Sequence, residues 1–287
     1  MNNIHNKCYR ILTLNYNKGF LDDSVDATYI ITLTENLKRH INIFKQINRY
    51  PPTKKIFIVY NKGYTNCDKF YNKKKIETSY EDISYCNLYI FNLAKNFNNI
   101  LILEDDFIFD KNLIVDKKIH NDINSFILKN KPNIYYLGCF PIIINPKTIF
   151  KKHKSVYLNT LAHAAIYNKK TRDKIYSIQK NSMFLHPADD LFLNKKIIDK
   201  FYYYKPICNQ FFPNTNNRNI WSENKNYTHK NSILRKYIID IIIYFIKLFG
   251  YNKSKNIYNK MLYYYRFIIS LHIIVISLIL IFIIYKK

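Results

Sequence analysis

Three consecutive acids, Glu104, Asp105 and Asp106, follow directly on the apolar run Ile100–Leu103 in the segment NILILEDDFIFD at 99–110. A continuous apolar run of this kind reads as a strand covered on both faces of a sheet. In an open parallel α/β sheet, ligands bind just outside the carboxyl ends of the strands, where these acids would stand. Paired carboxylates there can hold a hard divalent cation, and the cation can bridge the oxygens of a diphosphate. Alternation along the chain sends Glu104 and Asp106 to one side and Asp105 to the other. The plainer alternative is an acidic turn that only solvates a strand end, but a second apolar run after the acids favours the functional reading. His163 and His186 are candidate metal ligands or acceptor contacts, although an isolated histidine is more often structural.

The elements that would carry these residues follow from pattern. TYIITL at 28–33 is rich in β-branched and aromatic residues and predicts a strand. A helix is expected from Glu35 to about Ile47, with Thr34 as its cap and Leu37, Ile41, Phe44 and Ile47 as its apolar stripe. Pro51 and Pro52 stop it, KIFIVY at 55–60 predicts a second strand, and Lys62-Gly63 a turn. Further helices are expected at 87–96, 119–129, 169–180 and 190–200, with a strand at 134–138. This alternation predicts an α/β domain with a mostly parallel sheet flanked by helices.

At this point the chain resembles a known group. ILEDDFIF at 102–109 is similar to the metal-binding acidic motif of nucleotide-sugar glycosyltransferases of the GT-A fold. More narrowly it resembles glycosyltransferase family 25, the lipopolysaccharide and collagen galactosyltransferases. YIITLTENLKRHINIF at 29–44, IYYLG at 134–138, LAHAAIYNKKTRDKI at 161–175 and HPADDLF at 186–192 match that group in order and spacing. The likeness covers roughly residues 28–212. Two departures stand out: SYEDISYCNLY at 79–89 lacks the glycine and histidine usual before the acids, and Asn168 replaces a usual serine.

The resemblance implies a GT-A-like fold and a metal-dependent, inverting hexosyl transfer from a nucleoside-diphosphate sugar, UDP-sugar foremost. It implies that Glu104 and Asp106 bind Mn²⁺ or Mg²⁺ and that Asp105 contacts the donor's ribose or sugar. Arg39 would help hold the donor, its alternative being an exposed helix arginine, and His186 would lie at the donor or acceptor. An inverting transfer needs a general base for the acceptor hydroxyl. Asp189 is the first candidate and Asp190 the second, since two acids at a helix start are held ionised by the helix dipole. Simple helix capping is the other role open to either. Two competing classes remain in view: a catalytically inactive binding or scaffold protein on the same fold, and a metal-dependent phosphoester hydrolase.

The C-terminus reads as a membrane anchor. Phe267–Tyr285, FIISLHIIVISLILIFIIY, carries no formal charge, and a helix of that length reaches roughly 28 Å, close to the thickness of the hydrocarbon core. Before it, KYIIDIIIYFIKLF at 236–249 predicts an amphipathic helix lying in the membrane plane. The N-terminus shows no signal-peptide pattern, so tail-first insertion and a cytosolic domain are expected. Five scattered cysteines without CxxC spacing predict neither disulfides nor a zinc site, which suits a reducing compartment. The net charge of +25 comes from lysines spread along the chain, without a recognisable nucleic-acid module, so nucleic acid is not expected as the main partner. The expected order is an extension at 1–27, the transferase-like domain at 28–212, a linker and juxtamembrane helix at 213–265, and a transmembrane helix at 266–285. Acceptors would be glycan, lipid or protein, and the working part lies ahead of Asn209.

Overall fold

A computed structural model describes residues 6–182, 185 and 199–210. In chain order the elements are β1 (Tyr9–Asn15), β2 (Ala27–Leu33), α1 (Leu37–Arg49), β3 (Lys55–Asn61), β4 (Phe70–Tyr71), β5 (Lys74–Lys75), α2 (Ser79–Leu93), β6 (Asn99–Glu104), β7 (Phe107–Phe109), α3 (Lys117–Asn130), β8 (Ile134–Ile144), β9 (His153–Asn168), α4 (Lys169–Lys180), β10 (Lys200–Tyr203) and β11 (Cys208–Gln210). Seven strands form one sheet in the order β1-β3-β2-β6-β9-β10-β8, with β9 also paired to β8. The pairings make β3, β2, β6, β8 and β10 run one way, while β1 and β9 run the other. The fold is mixed α/β with a large, mostly parallel central sheet.

Alternate residues of the central strands enter two separate cores, as a sheet covered on both faces requires. Tyr29, Ile31, Ile100 and Ile102 pack with Tyr85, Leu88 and Ile175 of α2 and α4. Ile30, Ile58, Leu101 and Leu103 pack with Ile43, Ile47, Ile123 and Ile127 of α1 and α3. Each such side chain, fully buried, contributes about 1.5–3 kcal/mol over leaving it in water.

Several expectations need correction. Thr34 does not cap α1: its N–H donates to the Asn61 carbonyl at 2.8 Å, extending the β2–β3 ladder, and the helix starts three residues on, with Asn36 as a cap that makes no side-chain bond. The helix is thereby turned, so that Ile43 and Ile47 are buried while Leu37 and Ile41 stay 69% and 70% exposed. The α2 helix begins at Ser79, well before the expected 87, because Thr78 accepts from the Glu81 N–H at 3.1 Å in a T-x-x-E cap. Asn168, one of the two departures from the family pattern, caps α4 through Thr171 N–H at 2.7 Å, a role serine also fills.

Cysteine pairing departs from expectation as well. Cys8 and Cys67 form a disulfide with Cα atoms 5.7 Å apart across 59 residues of sequence, while Cys86, Cys139 and Cys208 are buried thiols outside any disulfide. Scattered spacing hid the pair, since only the folded sheet brings the two together. The cysteine argument for a reducing compartment therefore lapses. The sheet also starts earlier than the expected domain: Tyr9–Asn15 forms its edge strand. Among the described residues no helix is long and apolar enough to cross a membrane; Lys236–Phe249 and Phe267–Tyr285 lie outside the described residues.

At the end of the sheet where β8 begins, Tyr135 and His153 share a hydrogen bond at 2.9 Å through the hydroxyl and Nδ1, and the His153 ring stacks on Phe126 at 4.0 Å. His153 Nε2 lies 3.5 Å from Asp122. Burial pushes the imidazole below its ordinary pKa despite that carboxylate. Its folded pKa is thus below its unfolded one, and the unfolded chain binds the extra proton. The stability this site contributes is complete above the unfolded value of about 6.5 and is lost as pH falls below it. Thermal midpoints are expected to fall from pH 7 to pH 5, and His153→Gln is expected to flatten that slope. An unchanged slope in the variant would show that His153 plays no part in it.

Candidate functional site

The parallel strands β3, β2 and β6 end side by side at Asn61, Leu33 and Glu104, and the three acids begin at that edge. Glu104 is the last residue of β6, in register with Ile31 and only partly buried. A two-residue turn at Asp105 and Asp106 then leads into β7, which leaves the central sheet to pair with β11. This turn replaces the strand alternation expected through the acids, so each aspartate is placed by its own partners.

Asp105 is 5% exposed. One of its oxygens accepts from the Thr32 hydroxyl at 2.9 Å and the other is ion-paired with the Arg39 guanidinium. Arg39 is therefore neither a bare surface arginine nor unengaged: it reaches from α1 to hold the acidic turn. Two further α1 side chains do the same for β7. Asn42 Nδ2 donates to the Phe107 carbonyl at 3.0 Å, and Gln46 Oε1 accepts from the Phe109 N–H at 3.1 Å. Arg39, Asn42 and Gln46 are spaced three and four apart, so one polar stripe of the helix faces the acids. That spacing was readable in sequence as a stripe, had the polar rather than the apolar periodicity been followed.

Asp106 is 4% exposed, and its Oδ2 accepts from Gln210 Nε2 at 3.0 Å. Its Oδ1 is buried and has no hydrogen-bond partner among the described residues. Burial, with Asp105 adding repulsion, pushes the carboxyl up to about 7, although Arg39 and Gln210 pull against this. A buried carboxylate oxygen without a donor is costly unless something positive sits against it. The donor set suits a hard cation, which prefers oxygen.

Gln210 reaches Asp106 because β11 pairs antiparallel with β7, with Gln210 opposite Phe107 and Cys208 opposite Phe109. The strand is seated closely. A Cβ at Gly138 would collide with the Cys208 carbonyl oxygen and come within 2.5 Å of His163 Nε2. His163 is 3% exposed, with Nε2 3.5 Å from that same carbonyl. It thus stands beside β11, next to the acids' neighbour. Beside Gln210, Asn209 is 6% exposed and neither its Oδ1 nor its Nδ2 has a partner among the described residues. Gln210 and Asn209 were missed in sequence: they fall inside the expected domain at 28–212, but the working part was expected ahead of Asn209 and no motif singled them out. No cluster of three or more His, Cys, Asp or Glu side chains stands ready as a metal cage among the described residues. The candidate bases Asp189 and Asp190, together with His186, lie outside the described residues.

No family model matches the chain, and no curated protein does. Among solved structures it is similar to one from Bacillus anthracis described as a glucose-1-phosphate thymidylyltransferase in complex with a sucrose. The identity is 11% and the TM-score 0.29, over 61% of this chain and 65% of that one. The chain thus spans just under two thirds of that structure's length.

Proposed function

We propose that this protein is a membrane-tethered, metal-dependent glycosyltransferase that moves a hexose from a nucleoside-diphosphate sugar, UDP-sugar foremost, to a hydroxyl acceptor. The observation that carries the reading is the buried Asp106 carboxylate, with an oxygen lacking a donor among the described residues, at the carboxyl edge of the parallel strands. Ligands of α/β sheets bind at that edge, and the motif resemblance to family 25 transferases supports the same assignment.

Glu104 and Asp106 would hold Mn²⁺ or Mg²⁺. When bound, the cation would neutralise charge growing on the departing diphosphate. Asp105, fixed by Thr32 and Arg39, keeps the turn in shape and lines the donor's sugar side. In the transfer itself the acceptor oxygen bonds to the anomeric carbon as the bond from that carbon to the diphosphate oxygen breaks. The hydroxyl proton passes to a carboxylate, for which Asp189 is our first choice and Asp190 the second. Anchoring through Phe267–Tyr285 would favour lipid, glycan or protein acceptors at a membrane surface.

The test uses the full chain in neutral detergent with Mn²⁺ and a panel of nucleotide sugars, measuring released nucleoside diphosphate. Metal-dependent release from at least one donor is expected, and chelation by EDTA should stop it. Thermal stabilisation by a donor without any release would favour the inactive binding-protein reading. If no donor is turned over and none stabilises the chain, the transferase assignment is lost.

A further inference from the structure

Two buried oxygens without hydrogen-bond donors among the described residues stand at neighbouring strands: Asp106 Oδ1, just before β7, and Gln210 Oε1, at the end of β11. The same two side chains already touch through Gln210 Nε2 and Asp106 Oδ2 at 3.0 Å. Their backbones are fixed independently of that contact. Ile207 N–H donates to Leu137 O at 3.0 Å, and Asp110 N–H donates to Ile207 O at 2.8 Å, so β11 is tied to both β8 and the segment after β7. Gln210 is thus delivered to the acids by main-chain pairing.

A primary amide is nearly symmetric in shape, and turning it about its last bond exchanges an N–H donor for a carbonyl acceptor. Facing nitrogen-first, as here, Gln210 holds Asp106 in place. Facing oxygen-first, it would set a carbonyl against a carboxylate, which is repulsive unless a cation lies between them. Carboxylate and amide carbonyl oxygens are both ordinary ligands of hard divalent cations. We propose that Gln210 is a cation ligand of this protein, its amide turning so that Oε1 joins Asp106 when the metal binds. This rests on the cation reading of Asp106 given above and adds to it a neutral ligand that no sequence motif singled out. The same amide holds the Asp106 carboxylate before binding and supplies a ligand after it, which preforms the site.

The experiment is a Mn²⁺ titration of the full chain in detergent, followed by loss of the free-ion paramagnetic resonance signal, with far-UV circular dichroism to check folding. Gln210→Leu is expected to weaken Mn²⁺ binding at least tenfold. Gln210→Glu is expected to tighten it at least tenfold, since the same reach then carries a full charge. Before metal is added, Glu at that position should lower the thermal midpoint through repulsion with Asp106. Mn²⁺ bound by the wild type and lost in Asp106→Asn, yet unchanged in both Gln210 variants, overturns the assignment and leaves the Asp106 site standing. Weakening by Gln210→Glu comparable to Gln210→Leu likewise overturns it, reducing Gln210 to a hydrogen-bond donor. If the wild type binds no Mn²⁺ at all, the cation reading itself fails.

Discussion

Asp106→Asn is expected to lower nucleotide-sugar turnover by on the order of 10³-fold, the scale seen when one well-placed electrostatic group is removed from a reacting centre. The same change should leave the thermal midpoint unchanged or raise it. The wild-type carboxylate is 4% exposed with an oxygen that no described residue satisfies, and burial drives its pKa up to about 7. A neutral amide of the same shape avoids that desolvation cost, and Gln210 can turn to pair with it. Activity lost with stability kept separates a working residue from a scaffold residue. Turnover within tenfold of the wild type, in protein of unchanged stability, would remove Asp106 from the mechanism.

The second large effect concerns folding. Lys69 is fully buried and ion-paired with Asp82, whose side chain is 5% exposed. Lys69 Nζ also donates to Asn61 Oδ1 at 2.5 Å and lies 5.1 Å from the centre of the Tyr9 ring. Asn61 in turn donates to Asp82 at 2.9 Å. Lys69→Met would strand a buried carboxylate, and such one-sided losses cost about 3–5 kcal/mol. The urea midpoint, followed by circular dichroism, should fall accordingly. Replacing both members, Lys69→Met with Asp82→Leu, should recover much of the loss, because no uncompensated charge then remains. If the single and double variants are equally unstable, the charge is not what Lys69 contributes. Asn61 ends β3 at the same sheet edge as the acidic turn, with β2 between them, so the single variant should also lose turnover.

The frame of the domain was legible where local pattern and tertiary demand agree. TYIITL, KIFIVY and ILIL are strands because β-branched and apolar runs of that length fit a doubly covered sheet, and Lys169–Lys180 is a helix as its pattern predicts. The acids were found because a buried strand runs straight into them. What escaped depends on contacts distant in sequence. The α1 helix shows an apolar repeat at Leu37 and Ile41, yet faces the site with Arg39, Asn42 and Gln46, because Thr34 is held in the sheet. Gln210 meets Asp106 across 104 residues through the β7–β11 register, and no spacing rule reports that. Nor does the edge strand β1 announce itself, since its residues run mostly exposed rather than alternating.

That edge strand gives the Cys8–Cys67 bond a consequence for solubility. β1 covers β3, whose KIFIVY stretch combines high β-propensity with a single charge. Six-residue segments of this composition, once bared, template strand-to-strand aggregation. β1 itself has little burial to hold it there, with Ile11 and Leu12 more than a third exposed. Its two ends are pinned instead, by the disulfide and the Lys62 N–H to Cys8 carbonyl bond at one and by the Tyr16 N–H to Lys54 carbonyl bond at the other. The crosslink therefore acts as a latch over the segment most able to seed insoluble assemblies, so that its loss would be felt first as precipitation.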